Sequence, residues 1–347
     1  MILSRPQLTT LLNALYETGT ERVAVEHPCE AVGELLEFEL GPPFESPVRF
    51  TQRLPEYAST RENIERTYGR TAHDDLPDEN AYVRCLVAGG VLNVANRDAI
   101  DEFIDRHGHP DLEAGHAPAV VGIDANIMPF RIAEVLDIDP RTGTRDDRDR
   151  RPTNGYALAT GVKAELDWHY KQHHVESLVD AFGEAFERLD DEPAGDSREG
   201  FLGLYEHRRL LAERNVDIVK CEEGDEAIVE AYREFHETSR KDVLLFSNDF
   251  GFVQRAKGAD VPAQHVDFRR QLPRKTTASW DGLSDTLYYL AVRFGVIVLP
   301  GVTLYGVWNG KDGRHWQQHQ LAVECRSPKI EPLLQRDRQI VEAFENG

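Results

Sequence analysis

The stretch LLFSNDFGFVQRAKGADVPAQHVDF covers residues 244–268 and changes character twice within a few residues. The apolar run at residues 243–246 stops abruptly at Ser247-Asn248-Asp249. Four apolar residues bounded by charged and polar ones predict a short strand that is buried on both faces. In an open parallel α/β sheet, ligands bind beyond the carboxyl ends of such strands. Asp249 is therefore predicted either to cap the next helix or to belong to a site.

Strands and helices alternate through the middle of the chain. The segments predicted as strands are AVVGID, YALAT, VDIVKC, DVLLFSND and PAQHVDF. Helical segments such as GDEAIVEAYREFHETSR lie between them. This alternation predicts right-handed crossovers and an α/β fold, in which a central parallel sheet carries helices on both faces.

The chain is predicted to have three regions. Residues 1–117 form an N-terminal α+β region, in which AYVRCLVAGGVLNVAN is expected to be a strand. Residues 118–272 form the α/β domain, where the segment from GVKAEL to GEAF is expected to be one helix. Residues 273–347 are expected to form a helix and then a β-hairpin joined across the turn-rich NGKDG.

The charge of the chain is strongly negative, with a net charge of -21 and 61 acidic residues. Such a balance ordinarily argues against nucleic acid and anionic membranes as partners. The basic residues, however, are 32 Arg and only 8 Lys. A lysine-poor, acid-rich surface is typical of a protein from a salt-adapted, halophilic organism. The Debye length is only about 3 Å in 1 M salt, so repulsion between the protein and nucleic acid would be strongly screened there. The negative charge therefore does not exclude a nucleic-acid substrate.

The remaining composition suggests an intracellular protein. The four cysteines are scattered without a CxxC pair, which indicates neither a zinc site nor a disulfide framework. No signal peptide and no apolar run of about 18 residues occurs, so we expect a cytoplasmic protein without a membrane partner. No GxxxxGK[ST] or GxGxxG stretch supports a nucleotide-binding ATPase or a dehydrogenase.

Four carboxylates follow the carboxyl ends of predicted strands. They are Asp124, Glu165, Asp225 and Asp249. In a parallel sheet all four would meet at one edge. Two unit charges about 4 Å apart repel by roughly 4 kcal/mol at an effective dielectric constant near 20, so such a cluster needs protons or a cation. Oxygen ligands favour Mg²⁺ or Mn²⁺, which predicts water-dependent cleavage of a phosphodiester.

Each of these residues also has a purely structural interpretation. Asp225 and Asp249 are good residues for the first turn or the N-cap of a helix. Glu165 could be a solvated helix residue. The sequence does not decide between the two interpretations for any single residue.

The four motifs together resemble the PIN domain, a family of metal-dependent ribonucleases. The resemblance covers about residues 118–270 and comprises, in order, GIDANI, TGVKAELDW, GDEAIVEAY and LLFSNDFGFVQRAKG. It implies a metal site formed by Asp124, Asp225 and Asp249, with Glu165 completing the shell and orienting water. Glu226 is a secondary acid candidate. A further acid that many members carry is replaced here by Gly251.

The resemblance also implies contacts with the substrate. Asn126, Ser247 and Asn248 would bind the phosphate or a water molecule. Arg269 and Arg270, in FRRQLPRK, are candidates for phosphate contacts, although a solvated linker explains them equally well. Trp308 and Trp316 could stack on unpaired bases or pair across strands.

Three functions follow from this interpretation. The first is an endoribonuclease of PIN type that hydrolyses RNA, chiefly single-stranded, in RNA processing or decay. The alternative is a catalytically degenerate PIN-like module that binds RNA or a protein, and a homodimer is also open. A small-molecule phosphohydrolase on a similar sheet is a third, for which no motif is found.

Overall fold

A computed structural model describes residues 1–41, 45–108, 117–139, 153–167 and 175–345. The chain divides into two compact units. Unit 1 comprises Met1–Leu92, Lys171–Arg198 and Arg269–Gly347, and unit 2 comprises Asn93–Tyr170 and Glu199–Phe268.

Unit 2 contains a five-stranded sheet in which every paired neighbour is parallel. Its strands are β5 (Ala119–Ile123), β6 (Tyr156–Ala159), β7 (Val216–Val219), β8 (Asp242–Ser247) and β9 (Ala263–His265). Their order across the sheet is β7-β6-β5-β8-β9. The chain therefore proceeds outward from β5 in one direction, returns to β8 beside β5, and then proceeds outward in the other direction.

The three central strands of this sheet, β6, β5 and β8, are buried on both faces. All residues of β5 and β6 are buried, and in β8 only Asp242 is not. Gly122 in β5 allows close packing, because a Cβ atom there would lie 2.2 Å from Leu245. The continuous apolar runs identified in the sequence thus become interior strands, as expected for a covered parallel sheet.

One helix of unit 2 precedes these strands and the others connect them. They are α5 (Arg97–His107), α6 (Ile132–Val135), α7 (Thr160–Asp167), α9 (Ser197–Glu213, which begins at the unit boundary), α10 (Asp225–Thr238) and α11 (Phe250–Gly258). A 3₁₀ helix, Met128–Phe130, precedes α6. The structure is therefore α/β with a parallel sheet and helices, as expected from the alternation of motifs.

Unit 1 contains an eight-stranded sheet whose paired neighbours are all antiparallel. Its strands are β1 (Ile2–Ser4), β2 (Arg22–Glu26), β3 (Glu34–Glu39), β4 (Ser46–Phe50), β10 (Lys275–Ala278), β11 (Val296–Leu299), β12 (Val302–Tyr305) and β13 (Gln320–Cys325). Their order is β1-β13-β12-β11-β2-β3-β4-β10. The expected N-terminal and C-terminal regions thus contribute to one sheet rather than to separate regions.

Helices complete unit 1. They are α1 (Leu8–Glu17), α2 (Leu54–Tyr68), α3 (Arg70–Asp75), α4 (Glu79–Ala88), α8 (Glu176–Phe182), α12 (Trp280–Phe294), α13 (Gly313–Gln317) and α14 (Ile330–Glu345), with a 3₁₀ helix at Glu184–Leu189. A buried ion pair joins α3 to the first turn of α9, because Arg198 Nη2 lies 2.9 Å from Asp75 Oδ1. Both side chains are almost inaccessible to solvent.

Two expected elements of unit 1 differ in the structure. The segment AYVRCLVA, expected to be a strand, lies in helix α4, whose N-cap Asp78 accepts a 2.6 Å hydrogen bond from the Ala81 N–H. Most of this helix is buried, so its apolar residues lack the spacing of an amphipathic helix. The expected first strand of the C-terminal hairpin is itself a hairpin of β11 and β12, whose Leu299 and Val302 pair. Strands β12 and β13 pair antiparallel as expected, but they are connected through α13 rather than by a turn alone.

The two tail tryptophans are interior residues, so they offer no stacking surface. Trp308 is 8% exposed and Trp316 is 1% exposed. The Lys311 ammonium lies 5.1 Å from the centre of the Trp308 ring and 3.7 Å from that of Trp316. The sequence-based suggestion of base stacking at these residues is therefore wrong, and cation–π packing explains them.

Some expectations fall on residues outside the described ranges. These are the middle of the expected helix from GVKAEL to GEAF and most of the charged loop around Arg151. Within the ranges that are described, the first part of that helix is α7, which ends at Asp167, and the last part lies in α8 and the 3₁₀ helix after it. In the described part of the chain, no helix combines the length and apolar character needed to cross a membrane.

Candidate active site at the carboxyl edge of the parallel sheet

Asp124 directly follows the central strand β5. Its N–H donates to the Phe246 carbonyl of β8 (3.1 Å), which continues the pairing of the two strands. Its own carbonyl accepts hydrogen bonds from Ile127 (3.2 Å) and Met128 (3.1 Å), which turns the chain sharply away from the sheet. The residue is only 8% exposed. The carboxylate is thus held at the edge between β5 and β8, where the direction of chain progression reverses and where open α/β sheets bind ligands.

Ser247, the last residue of β8, connects this carboxylate to the next loop. Its hydroxyl donates a 2.5 Å hydrogen bond to Asp124 Oδ2. The Ser247 hydroxyl oxygen in turn accepts hydrogen bonds from the Asp249 N–H (2.8 Å) and from Asn126 Nδ2 (3.2 Å). Short O–H···O⁻ bonds of this kind are strong because the acceptor is charged. The hydroxyl therefore joins the ends of both central strands.

Two asparagines extend this network. Asn126 Oδ1 accepts a 3.1 Å hydrogen bond from the Asn248 N–H. Asn248 Nδ2 donates to the Val266 carbonyl (2.6 Å), and the His265 Nε2–H donates to the Asn248 carbonyl (3.0 Å). The candidate phosphate ligands Asn126, Ser247 and Asn248 are thus bonded to one another and to β9, and they stiffen the edge.

Asp249 is the N-cap of α11. Its Oδ1 accepts hydrogen bonds from the Gly251 N–H (2.6 Å) and the Phe252 N–H (3.3 Å), as the capping interpretation expected. Among the described residues, no hydrogen bond goes to Oδ2. One oxygen of this exposed carboxylate is thus used by the helix, and the other is left for solvent or a ligand.

Glu165 is positioned by the close approach of α7 to the end of β7. The Thr160 hydroxyl donates to the Cys221 carbonyl (2.7 Å), and a Cβ atom on Gly161 would lie 2.3 Å from the Glu222 carbonyl oxygen. Only glycine permits this approach. One turn later, Glu165 Oε1 accepts a 3.2 Å hydrogen bond from the Gly224 N–H.

Asp225 is the first residue of α10. The preceding Gly224 has φ = +101°, a conformation that favours glycine. Asp225 Oδ2 accepts a 2.8 Å hydrogen bond from Arg255 Nη1 of α11, and both side chains are 46% exposed. Exposed pairs of this kind are weak, about 0–1 kcal/mol, so the ion pair can open at little cost.

Three of the carboxylates interact electrostatically. Burial raises the pKa of Asp124 to about 6. The hydrogen bonds from Ser247 and Ala125 oppose that rise, and the negative charges of Glu165 and Asp225 add to it. Burial likewise raises the pKa of Glu165, the Gly224 N–H opposes it, and the charges of Asp225 and Glu223 contribute. A cation at this edge would be attracted by the charges that raise these pKa values.

The edge thus gathers Asp124, Glu165 and Asp225 electrostatically, and the Ser247 hydroxyl links Asp249 to Asp124. Within the described ranges, no three His, Cys, Asp or Glu side chains stand close enough together to hold one ion. The donor set is nevertheless all oxygen, which matches hard divalent ions. Arg255 occupies Oδ2 of Asp225, so a cation at Asp225 would share this carboxylate with the guanidinium or displace it.

The other candidate residues lie outside this group. Glu226 is exposed in the first turn of α10, where a negative charge favours the helix. Arg269 and Arg270 are exposed and begin the last segment of unit 1, so they are not among the residues that unit 2 brings to its sheet edge.

Three residues at this edge were not expected from the sequence. They are Arg255, which pairs with Asp225, and Phe250 and His265, whose rings meet at 6.0 Å. For Phe250 the sequence did contain a signal. Phe250 directly follows the predicted cap Asp249, so it is the first residue of the helix, where its side chain can point away from the sheet. For Arg255 no local signal existed, because its partner Asp225 lies 30 residues away in the sequence. Their contact depends on how α10 and α11 pack.

No protein-family model matches the chain, and no curated protein or solved structure is significantly similar to it.

Proposed function

We propose that unit 2 is a PIN-like, metal-dependent ribonuclease that hydrolyses RNA phosphodiester bonds. The observation that carries the proposal is the buried carboxylate of Asp124 between β5 and β8, with the charges of Glu165 and Asp225 close enough to raise its pKa. A buried carboxylate with further negative charges nearby is costly, and such perturbed groups cluster at functional sites, including those that bind a cation. The strand order β7-β6-β5-β8-β9 adds support, because it gives the sheet a ligand-binding crevice at this point.

Mg²⁺ or Mn²⁺ fits the chemistry of the donors. Asp124, Asp225 and Asp249 would hold it, with Glu165 beside them, once their side chains move closer together than the described arrangement places them. Such an ion supplies charge neutralisation and a water of lowered pKa. A carboxylate has about four lone-pair sites, so the two hydrogen bonds on Asp124 leave capacity for a ligand. Oδ2 of Asp249, which accepts no hydrogen bond from the described residues, is likewise able to bind a ligand.

The residues of the chain have distinct roles in this proposal. Ser247 and Asn126 fix the orientation of Asp124 through the hydrogen bonds described above. Gly224 holds Glu165 Oε1, so that Glu165 can orient the attacking water. Water attacks phosphorus, the bond from phosphorus to the leaving sugar oxygen breaks, and that oxygen takes up a proton. No covalent bond to the enzyme is needed.

A specific observation favours the alternative of a non-cleaving module that binds RNA or protein. Arg255 already neutralises Asp225, which a catalytic ion would otherwise do. Gly251 also stands where many PIN domains carry a further acid. In that function the same edge would bind a partner without turnover.

Cleavage of end-labelled single-stranded RNA separates these functions. The assay uses Mg²⁺ or Mn²⁺, at low and at molar salt, with Asp124→Asn and Asp249→Asn. Asp242→Asn is the matched control, because Asp242 lies at the opposite end of β8. We expect wild type and the control to cleave, and both site variants to lose more than about 100-fold in rate.

Two results would reject hydrolysis at this edge. Equal rates in wild type and both site variants would show that another group is responsible. RNA binding without turnover under every ionic condition would instead support the non-cleaving module.

A further inference from the structure

Phe250 is an exposed aromatic residue beside the candidate site. It is 64% exposed, the highest value among the large hydrophobic side chains described as exposed. Phe246 and Phe252, four residues before and two after it, are fully or almost fully buried. The difference follows from the cap at Asp249: α11 begins at Phe250, and its inward face is formed by Phe252 and Val253. The exposed ring keeps apolar surface in contact with water, and a ligand that covered the ring would gain free energy by removing that surface from water.

The surroundings of Phe250 are polar. The residues next to it on α11 and in its cap, Asp249, Gly251, Gln254 and Arg255, are all exposed. Protein-docking surfaces generally need a contiguous apolar patch of several hundred Å². A single ring among charged and polar groups fits a planar ligand with a polar rim better than it fits another protein.

His265 keeps the aromatic ring in place. The two ring centres are 6.0 Å apart and their planes are inclined by 78°, an edge-to-face arrangement. The imidazole is itself held, because its Nε2–H donates to the Asn248 carbonyl at 3.0 Å. The Asn248 N–H in turn donates to Asn126 Oδ1. The ring is therefore tied to the same network that orients Asp124.

We propose that Phe250 is a stacking subsite for an unpaired base of the RNA that the acidic edge processes. This inference rests on the proposed function. A nucleic-acid chain whose phosphate lies at Asp124 and Asp249 brings a neighbouring base within reach of the residue after Asp249. In a duplex both faces of each base are covered, so the subsite selects single-stranded segments. Because every base has a π-face, the subsite tolerates all four bases.

Binding of RNA with one base removed tests the subsite directly. Short single-stranded RNAs, each with an abasic site at one position, are titrated in Mg²⁺ into Asp124→Asn protein, so that hydrolysis does not interfere. The same titrations use this protein with Phe250→Ala or Phe250→Trp added. Leu211→Ala is the matched control, because Leu211 is another exposed apolar residue of unit 2.

We expect Phe250→Ala to weaken binding of intact single-stranded RNA about tenfold, Phe250→Trp to retain it, and Leu211→Ala to leave it unchanged. One abasic position should weaken binding to the parent protein about tenfold and leave the Phe250→Ala protein unaffected. Duplex RNA should bind all variants equally.

The subsite is rejected if Phe250→Ala binds intact RNA as tightly as the control does, or if the abasic effect persists in that variant. Loss of self-association in sedimentation, with RNA affinity unchanged, would assign Phe250 to a protein interface instead. Hydrolysis is judged separately. If an abasic position weakens RNA binding only when Phe250 is present, but wild-type protein never cleaves RNA, the stacking subsite is retained and the nuclease function is rejected.

Discussion

The Ser247 hydroxyl donates a 2.5 Å hydrogen bond to Asp124 Oδ2, across 123 residues of sequence. The Ser247 hydroxyl oxygen also accepts a hydrogen bond from the Asp249 N–H. We expect Ser247→Ala to lower the free energy of unfolding by about 1–3 kcal/mol, because it leaves buried groups without a partner. Urea titration measures this change. Thr238→Ala, which removes an exposed hydroxyl that bonds within its own helix, should change the free energy by less than about 0.5 kcal/mol.

The raised pKa of Asp124 predicts a pH-dependent gain in stability from Asp124→Asn. Because the pKa is about 6 in the folded state and near 3.8 in the unfolded state, this group stabilises the fold fully below pH 3.8. That contribution is lost as the pH rises through 6. In the absence of divalent ions, Asp124→Asn should therefore raise the free energy of unfolding by up to about 2–3 kcal/mol at pH 8. At pH 3.5 it should have little effect.

Denaturant titrations across this pH range, in EDTA, make the comparison. Asp242→Asn controls for the loss of a carboxylate from the same sheet, on the neighbouring strand β8. A gain for Asp124→Asn that is equal at pH 3.5 and pH 8 would contradict the role of the buried charge.

Arg255 pairs with Asp225, so it would compete with the proposed divalent cation for this carboxylate. Removing the guanidinium frees the carboxylate and removes a positive charge near the ion. Since exposed ion pairs are worth about 0–1 kcal/mol, Arg255→Gln should tighten Mn²⁺ binding by about two- to fivefold. Calorimetric titration with MnCl₂ measures the affinity.

The matched control for this prediction is Arg233→Gln. Arg233 is also in an exposed ion pair on a helix of unit 2, with Glu230 and Glu237. Arg233→Gln should leave the affinity for Mn²⁺ unchanged. Weaker Mn²⁺ binding in Arg255→Gln would mean that the guanidinium supports the site rather than competes at it.

Gly161 permits the approach of α7 that positions Glu165. A Cβ atom there would lie 2.3 Å from the Glu222 carbonyl and 2.9 Å from Ile228, so Gly161→Ala must displace α7. We expect a loss of about 1–3 kcal/mol in stability together with weaker Mn²⁺ binding. Gly258→Ala is the control: a Cβ atom there meets nothing within 4 Å, and alanine favours the helix. Thermal unfolding with and without MnCl₂ measures both effects.

The central strands of unit 2 could be predicted from sequence because burial on both faces leaves a plain signal. The runs before Asp124 and Asp249 are short and apolar, and each ends in a polar residue that the sheet edge requires. Both the strand and the cap at Asp249 were therefore recognisable from neighbouring residues. Parallel pairing then brings the two strand ends together without further information.

What could not be predicted depends on contacts between distant residues or on full burial. Arg255 and Asp225 meet only because two helices pack side by side. Helix α4 is buried on nearly every side, so its apolar residues lack helical spacing and were mistaken for a strand. The membership of β10–β13 in the N-terminal sheet depends on pairings such as Ile2 with Ala322, which no local pattern indicates.

The strand order of unit 1 constrains how the protein can be made on a ribosome. β2 pairs with β11 and β1 pairs with β13, so β1 to β4 emerge long before their later partners. All strands of unit 2, in contrast, have been translated by residue 265. During translation of the intervening residues, the early strands of unit 1 present unpaired edges, which are prone to aggregation. Nascent chains therefore need shielding of these edges, by a chaperone or by rapid elongation, until β13 emerges.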